Sequence, residues 1–313
     1  MADWAVGTEP EESLVELCHK VLEKEGRIGG SLGGIAVVKI AAHVAVKLGR
    51  GVTASEAATQ QFAHTNLDPS VVYVPKVYRY FRQSRIPAGE EYGYLFMEYI
   101  PGRNLQDLDV AGDSLAHLVP RIVNIIESLG QLRASKPGPV GGGIPLGYIY
   151  GDDGAKAAFH SVEEMNTYMN KRLAYDDKTI DLTRHHLALC HGDICRRNLI
   201  LKDDGALCLL DWGYAGFYPR FFELVALKCT FPYDKLFEGA LERETELAMG
   251  LTQEEQDDMK LVTFVRGANL RWSFDGPTPQ DQDAFIASLE RHAGLQHDDS
   301  FPTAEPGKET PDQ

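Results

Sequence analysis

The residues of this chain best suited to chemistry are His191-Gly192-Asp193-Ile194-Cys195-Arg196-Arg197-Asn198 and, a short gap later, Asp211-Trp212-Gly213. An Asp, four intervening residues and an Asn, followed by Asp-aromatic-Gly, is the layout of a catalytic loop for phosphoryl transfer. Moving a phosphoryl group to a hydroxyl needs little covalent help from a protein. It needs cations to neutralise phosphate charge, and a carboxylate to orient the hydroxyl and take its proton. Asp193 fits the carboxylate. Asn198 and Asp211 are hard oxygen donors suited to magnesium.

These groups act only if the chain holds them together. Leu199-Ile200-Leu201 and Ala206-Leu207-Cys208-Leu209-Leu210 read as two apolar strands, with Lys202-Asp203-Asp204-Gly205 as the turn between them. The hairpin sets Asn198 and Asp211 at neighbouring strand ends, where one magnesium can bridge them to the phosphates of a nucleotide.

The phosphates also need a lysine on a strand, and Val44-Ala45-Val46-Lys47 has that pattern. Lys39, on the preceding strand, is the competitor. Such a lysine needs a carboxylate from the following helix. Glu56 is the sole acidic residue between Lys47 and Asp68, so it is the expected partner. Gly29, Gly30, Gly33 and Gly34 can cradle phosphates through backbone amides. They do not follow Gly-x-Gly-x-x-Gly, and a flexible turn explains them equally well. Tyr94-Leu95-Phe96-Met97-Glu98-Tyr99-Ile100-Pro101-Gly102 reads as a strand running into a hinge whose backbone groups can bind an adenine edge.

The 313 residues suffice for about two domains, and a 43% hydrophobic content supports a sizeable core. A net charge of −15 argues against a nucleic-acid or anionic-membrane surface. The five cysteines lack disulfide-framework spacing, which points to a reducing compartment, the cytoplasm. The N-terminus has no signal-peptide pattern and no apolar run reaches membrane-span length. No obligate protein partner is evident.

Residues 11–25 read as an amphipathic helix with Leu14, Leu17, Cys18, Val21 and Leu22 on one face. Strands are expected at 35–40, 43–48, within 71–81 and at 92–100, with a helix at 54–65. Together they form a small mixed sheet. Helical signal dominates from Leu105, with Pro120 marking an early boundary or kink. Ser161-Val162-Glu163-Glu164 and Thr252-Gln253-Glu254-Glu255 have capping-box form and open further helices. From about Gln296 the chain is polar and acidic, and a disordered tail is expected. The class is α+β.

On these residues the chain resembles the aminoglycoside phosphotransferase family, choline/aminoglycoside kinase-like enzymes, and especially its fungal branch. The resemblance spans roughly Arg27 to Arg271. It is strongest at His191 to Asn198 and at Leu210-Asp211-Trp212-Gly213-Tyr214-Ala215-Gly216-Phe217-Tyr218-Pro219. It implies a two-lobed, protein-kinase-like fold: residues 1–100 as a nucleotide lobe, 101–295 as a mainly helical lobe with the acceptor site, and 296–313 as the tail. It implies an ATP- and Mg2+-dependent phosphotransferase with Asp193 as base, Asn198 and Asp211 on magnesium, and Lys47 on phosphate. His191 is then structural. Glu98 and Ile100 offer backbone groups to adenine, Met97 lies at the back of the pocket, and Ile200 and Leu210 form its apolar floor. The chain departs from the family in Arg196-Arg197, where Pro-Gly or Pro-Arg is frequent before the Asn. One arginine can contact the transferred phosphate or pair with an acidic neighbour, and the ion pair is the expected use.

The partners implied are a nucleotide and a small hydroxylated acceptor. The alternative function is a nucleotide-binding pseudokinase or regulatory module, against which Lys47, Glu56, Asp193, Asn198 and Asp211 are all present. A zinc site at His185, His186, Cys190, His191 and Cys195 is disfavoured, because adjacent side chains on a strand point apart. A Cys195 nucleophile is weaker than Cys195 packed behind the loop. Tyr148, Tyr150, Phe159, Trp212, Tyr214, Phe217, Tyr218, Trp272 and Phe274 make the expected acceptor region aromatic, more as core than as pocket. Asp152, Asp153, Glu223 and Asp275 are its acidic candidates.

Overall fold

The computed structural model describes residues 6–30, 34–85, 90–108, 115–229, 235–272 and 274. Met1–Arg271 forms one compact unit and Trp272–Gln313 a second. Trp272 and Phe274 belong to the second unit. Gly33, Asp275 and the tail from Gln296 lie outside the described residues.

The first unit opens with α1 (Glu11–Glu25), whose Leu14 and Cys18 are buried as the heptad-like spacing requires. They pack with Val38, Val44, Val46, Leu48, Phe81, Tyr94 and Phe96 on one face of a five-stranded sheet. Its strands are β1 (Gly29–Gly30), β2 (Ile35–Ala41), β3 (Val44–Gly49), β4 (Val77–Arg85) and β5 (Glu90–Glu98), in the order β1-β2-β3-β5-β4. Helix α2 (Ala54–Asn66) lies between β3 and β4 in sequence. The alternation along β3 turns Val44, Val46 and Leu48 towards α1. Lys47, opposite Leu95, therefore projects from the other face. There Ala57 of α2 packs on Val52 and Leu95.

Every pairing in this sheet is antiparallel, where a mixed sheet was expected. The connection through α2 returns β4 in the direction of β3. Strand β5 then folds back between them and pairs antiparallel with both, a direction that no apolar pattern encodes. The strand expected within 71–81 starts only at Val77. Pro75 has no amide to give a ladder, and Tyr73 instead bridges to Cys208.

Beyond the hinge the chain is mainly helical, with short strands between. β6 (Arg103–Asn104) pairs with β9 (Leu199–Leu201), which pairs with β10 (Leu207–Leu209). β7 (Arg133–Ala134) and β11 (Gly216–Pro219) flank β8 (Leu187–Cys190). The helices are α3 (Val119–Leu129), α4 (Val162–Leu173), α5 (Phe221–Cys229), α6 (Lys235–Met249) and α7 (Gln253–Arg271). Pro120 sits in the first turn of α3, where its missing amide costs nothing. Ser161 accepts from the Glu164 amide, but Glu164 answers to His160 rather than to Ser161. The box at Thr252 and Glu255 closes in both directions. Leu105, Leu118, Ile122, Ile125, Leu129, Met165, Met169, Leu189, Trp212 and Phe221 build the core on which the catalytic-type loop rests.

Candidate active site

The loop between β8 and β9 is shaped by hydrogen bonds to its own backbone. Gly192 has φ +76°, and a Cβ there would meet the Tyr214 carbonyl at 3.0 Å, so glycine is required between His191 and Asp193. His191 Nδ1 accepts from the Asp193 amide at 3.3 Å, which makes Nε2 the protonated nitrogen that donates to the Leu210 carbonyl at 3.0 Å. Burial holds the His191 pKa below its ordinary value, so the ring stays neutral in this tautomer. It stacks edge-on against Trp212 at 4.9 Å. The loop is thereby tied to the strand end that carries Asp211.

Asp193 is 6% exposed. Asn198 Nδ2 donates to its carbonyl and to Oδ2, both at 2.9 Å. Tyr148 donates to Oδ1 at 2.9 Å, and Arg197 Nη2 lies 2.5 and 2.7 Å from the two oxygens. The ion pair expected of one arginine is therefore formed, with Asp193 itself as the partner. Arg196 turns the other way and caps the carbonyls of Leu105 and Leu108. Cys195 is buried beside the loop, and burial together with Asp193 pushes its thiol up to about 12, which leaves no thiolate for a nucleophile.

The hairpin of β9 and β10 has the expected register, Leu199 opposite Leu209, and the Leu210 amide donates to the Asn198 carbonyl at 2.8 Å. Asp211 follows with φ +62° and a side chain 45% exposed. Lys47 Nζ reaches its Oδ1 at 2.8 Å and Glu56 Oε1 at 2.5 Å. Glu56 owes its place to Thr53, whose hydroxyl accepts the Glu56 amide at 3.1 Å and starts α2. Loss of such a cap costs about 1 kcal/mol. Burial disfavours charge on Lys47, but the carboxylates of Glu56 and Asp211 outweigh it and raise its pKa. Burial raises Glu56 against the opposing pull of Lys47. Asp211 resists the upward push of burial because of the Lys47 ammonium, and its pKa is lowered. Lys39 stands apart, over the ring of Tyr99 at 3.7 Å.

Met97 lies opposite Ala45, on the same sheet face as Lys47, and its sulfur is 3.6 Å from Gln60 Nε2. The Glu98 carboxylate accepts from Tyr73 and from the Lys76 amide, while its own amide donates to the Lys76 carbonyl at 2.9 Å. Ile100 is buried. Gly102 has φ +149°, and a Cβ there would strike Ile200 Cγ2 at 2.6 Å, so the hinge passes directly over β9. Ile200 and Leu210 are each part-buried.

Glu223 is not an acceptor-site acid. It is 3% exposed, and its carboxylate accepts the amides of His191 and Gly192 from beneath the loop. Burial raises its pKa to about 7. Its role has no local sequence signal, since it lies on α5, far along the chain from the loop it holds. Tyr148 belongs to the same class. Of the aromatic candidates, Tyr150, Phe159, Trp212, Phe217 and Tyr218 are core, whereas Tyr148 and Tyr214 meet edge-to-face at 5.6 Å beside Asp193. Among the described residues no three His, Cys, Asp or Glu side chains gather as a metal site. His185 Nε2 pairs with Asp258, and His191 Nε2 with the Leu210 carbonyl.

Residues 36–246 match the phosphotransferase enzyme family, APH, more than half of the chain. The chain belongs to that family. Among solved structures it is similar to a thermostable mutant of aminoglycoside phosphotransferase APH(4)-Ia in its apo form, with 12% identity over 87% of this chain and 93% of that one, and a TM-score of 0.51. APH(4)-Ia itself gives a TM-score of 0.49 at 12% identity, over 90% and 95%. The GDP complex of wild-type aminoglycoside 2'-phosphotransferase-IIIa gives 0.46 at 13%, over 88% and 96%. No curated protein matches in sequence. The fold is thus the kinase-like fold of this phosphotransferase family. Among the described residues no helix is long and apolar enough to cross a membrane.

Proposed function

We propose that the protein transfers the γ-phosphoryl group of ATP to a hydroxyl of a small molecule. The observation that carries this reading is Lys47 on β3 bonded to both Glu56 and Asp211, beside the loop that carries Asp193. Lys47 presents an ammonium to phosphate oxygens, and Glu56 keeps it charged and aimed. Asp193 orients the acceptor hydroxyl and takes its proton at a carboxylate oxygen. Neutral His191 and Glu223 fix the loop while this happens.

The residues present fit a magnesium ion. Asn198 spends its nitrogen on Asp193, so its carbonyl oxygen remains as a hard donor, and Asp211 is half-open. Magnesium bound there would neutralise phosphate charge. Glu98 through its carbonyl and Ile100 through its amide would meet the base, with Met97 behind it and Ile200 and Leu210 beneath. The hinge separates a nucleotide half, residues 1–100, from an acceptor half beginning at 101. We place the chain in the choline/aminoglycoside kinase-like group and its fungal branch on the Asp211-to-Pro219 motif. The five cysteines are free thiols, which supports a cytoplasmic location.

The test uses radiolabelled MgATP with a panel of hydroxylated small molecules. Transfer by the wild type, lost in Asp193→Asn while MgATP affinity persists, is the expected result. Undiminished transfer by Asp193→Asn would remove the base. MgATP binding without transfer to any acceptor would favour a regulatory nucleotide binder.

A further inference from the structure

The inference concerns Arg197 and rests on the reading of Asp193 as base. A base must be reachable. Asp193 is 6% exposed, and what covers it from outside is Arg197, whose own side chain is 47% exposed. Four groups donate to the carboxylate: Asn198, Tyr148, Arg197 and, at 3.8 Å, the buried Cys195 thiol. Asn198 is buried and also holds the Asp193 carbonyl, so it cannot leave without breaking the loop. Tyr148 is packed against Tyr214. Arg197 is the long, half-open side chain of the four.

The contact Arg197 makes is incomplete. All of its hydrogen bonds, to both Asp193 oxygens and to the Tyr148 oxygen at 2.9 Å, come from Nη2. A fork on a carboxylate would use two nitrogens. Nε and Nη1 take no partner among the described residues, which leaves three N–H donors for an incoming oxyanion. The carboxylates close by are already engaged by protein groups. Asp193 is covered, Glu223 is buried under the loop, and Glu56 and Asp211 share Lys47.

We propose that Arg197 selects the acceptor: it covers the base until an acceptor arrives bearing an anionic group beside its hydroxyl. The guanidinium then moves to that group, and the hydroxyl takes its place on Asp193. The acceptor O–H proton passes to an Asp193 oxygen. The acceptor oxygen bonds to the γ-phosphorus, and the bond to the β-phosphate oxygen breaks with its electron pair leaving on ADP. Water brings no anion, does not displace Arg197, and is turned over slowly.

The test is hydrolysis of MgATP without acceptor by the wild type and by Arg197→Ala, Arg197→Met and Arg197→Lys, with thermal melting as a check on folding. Removing a charge-assisted contact of this kind predicts a rise of about tenfold in the Ala and Met variants. Lys, a point charge without a fork, should restore part of the suppression. The rise should vanish in Arg197→Ala combined with Asp193→Asn. Sodium acetate, against chloride at equal ionic strength, should stimulate the wild type and leave Arg197→Ala unchanged. Calorimetry should give equal MgATP affinity for the wild type and Arg197→Ala. Hydrolysis at or below the wild-type rate in both the Ala and Met variants would overturn the proposal. So would a rise that survives Asp193→Asn, or no response to acetate. Weaker MgATP binding in Arg197→Ala would place the guanidinium on nucleotide phosphate and overturn its role toward the acceptor. Absence of MgATP binding in the wild type would instead remove the phosphotransferase reading beneath it.

Discussion

The two aspartates of the site are built in opposite ways. Asp193 is covered, receives four side-chain donors and sits on a loop closed by its own neighbours. Asp211 is 45% exposed, held at positive φ, and paired with Lys47 of β3. A base must keep one orientation through the reaction, so its surroundings are prebuilt. A carboxylate that receives a metal and phosphates must keep an open side, so it is tied to a single cation, Lys47. The contrast teaches that positioning and reception are divided between the two arms of the site.

The sharpest way to break this comparison is to remove the function of the closed arm alone. Asp193→Asn keeps the shape and should lower transfer by roughly 10²–10⁴-fold, with MgATP affinity unchanged. A parallel loss of nucleotide binding would show that the arms are not separate. The open arm depends on a buried pair, and Glu56→Ala leaves Lys47 with Asp211 only. Leaving a buried charge wholly unpaired costs about 3–5 kcal/mol, and the retained Asp211 contact holds the loss below that. Chemical denaturation should show that loss, together with weaker MgATP binding.

The division of the site also explains what could be read from sequence. The hairpin was legible because Asn198, its turn and Asp211 are neighbours in the chain, and apolar alternation fixes a strand's faces. Lys47 and Glu56 were legible as a strand lysine followed by a helix with one acid. The supports of the closed arm were not. Tyr148 and Glu223 reach the loop from distant segments, and nothing local distinguishes Glu223 from a surface acid. Strand direction in the sheet was equally silent, because a pattern of apolar residues is the same read either way.

Glu223 supplies a pH test of the closed arm. Its pKa rises from an ordinary 4.5 to about 7 on folding. Between these values the unfolded chain has released the proton that the folded one retains. Stability therefore falls as pH rises through this window and levels off above it. The loss is on the order of 3 kcal/mol, from 1.36 kcal/mol per pKa unit. Unfolding free energies at pH 4.5 to 7.5 should slope downward in the wild type and less so in Glu223→Gln. An upward slope assignable to Glu223 would reverse its role as a buried, proton-retaining support. The smallest expected effect is that of Tyr148→Phe, which removes one donor to Asp193. About 1 kcal/mol of stability should be lost, read by thermal melting, with the fold intact.

The most direct test of the account is calorimetric titration of ATP, with and without magnesium, into the wild type and Asp211→Ala. The account predicts magnesium-dependent binding in the wild type and its loss in the variant. Equal binding by both proteins, or none by the wild type, would contradict it.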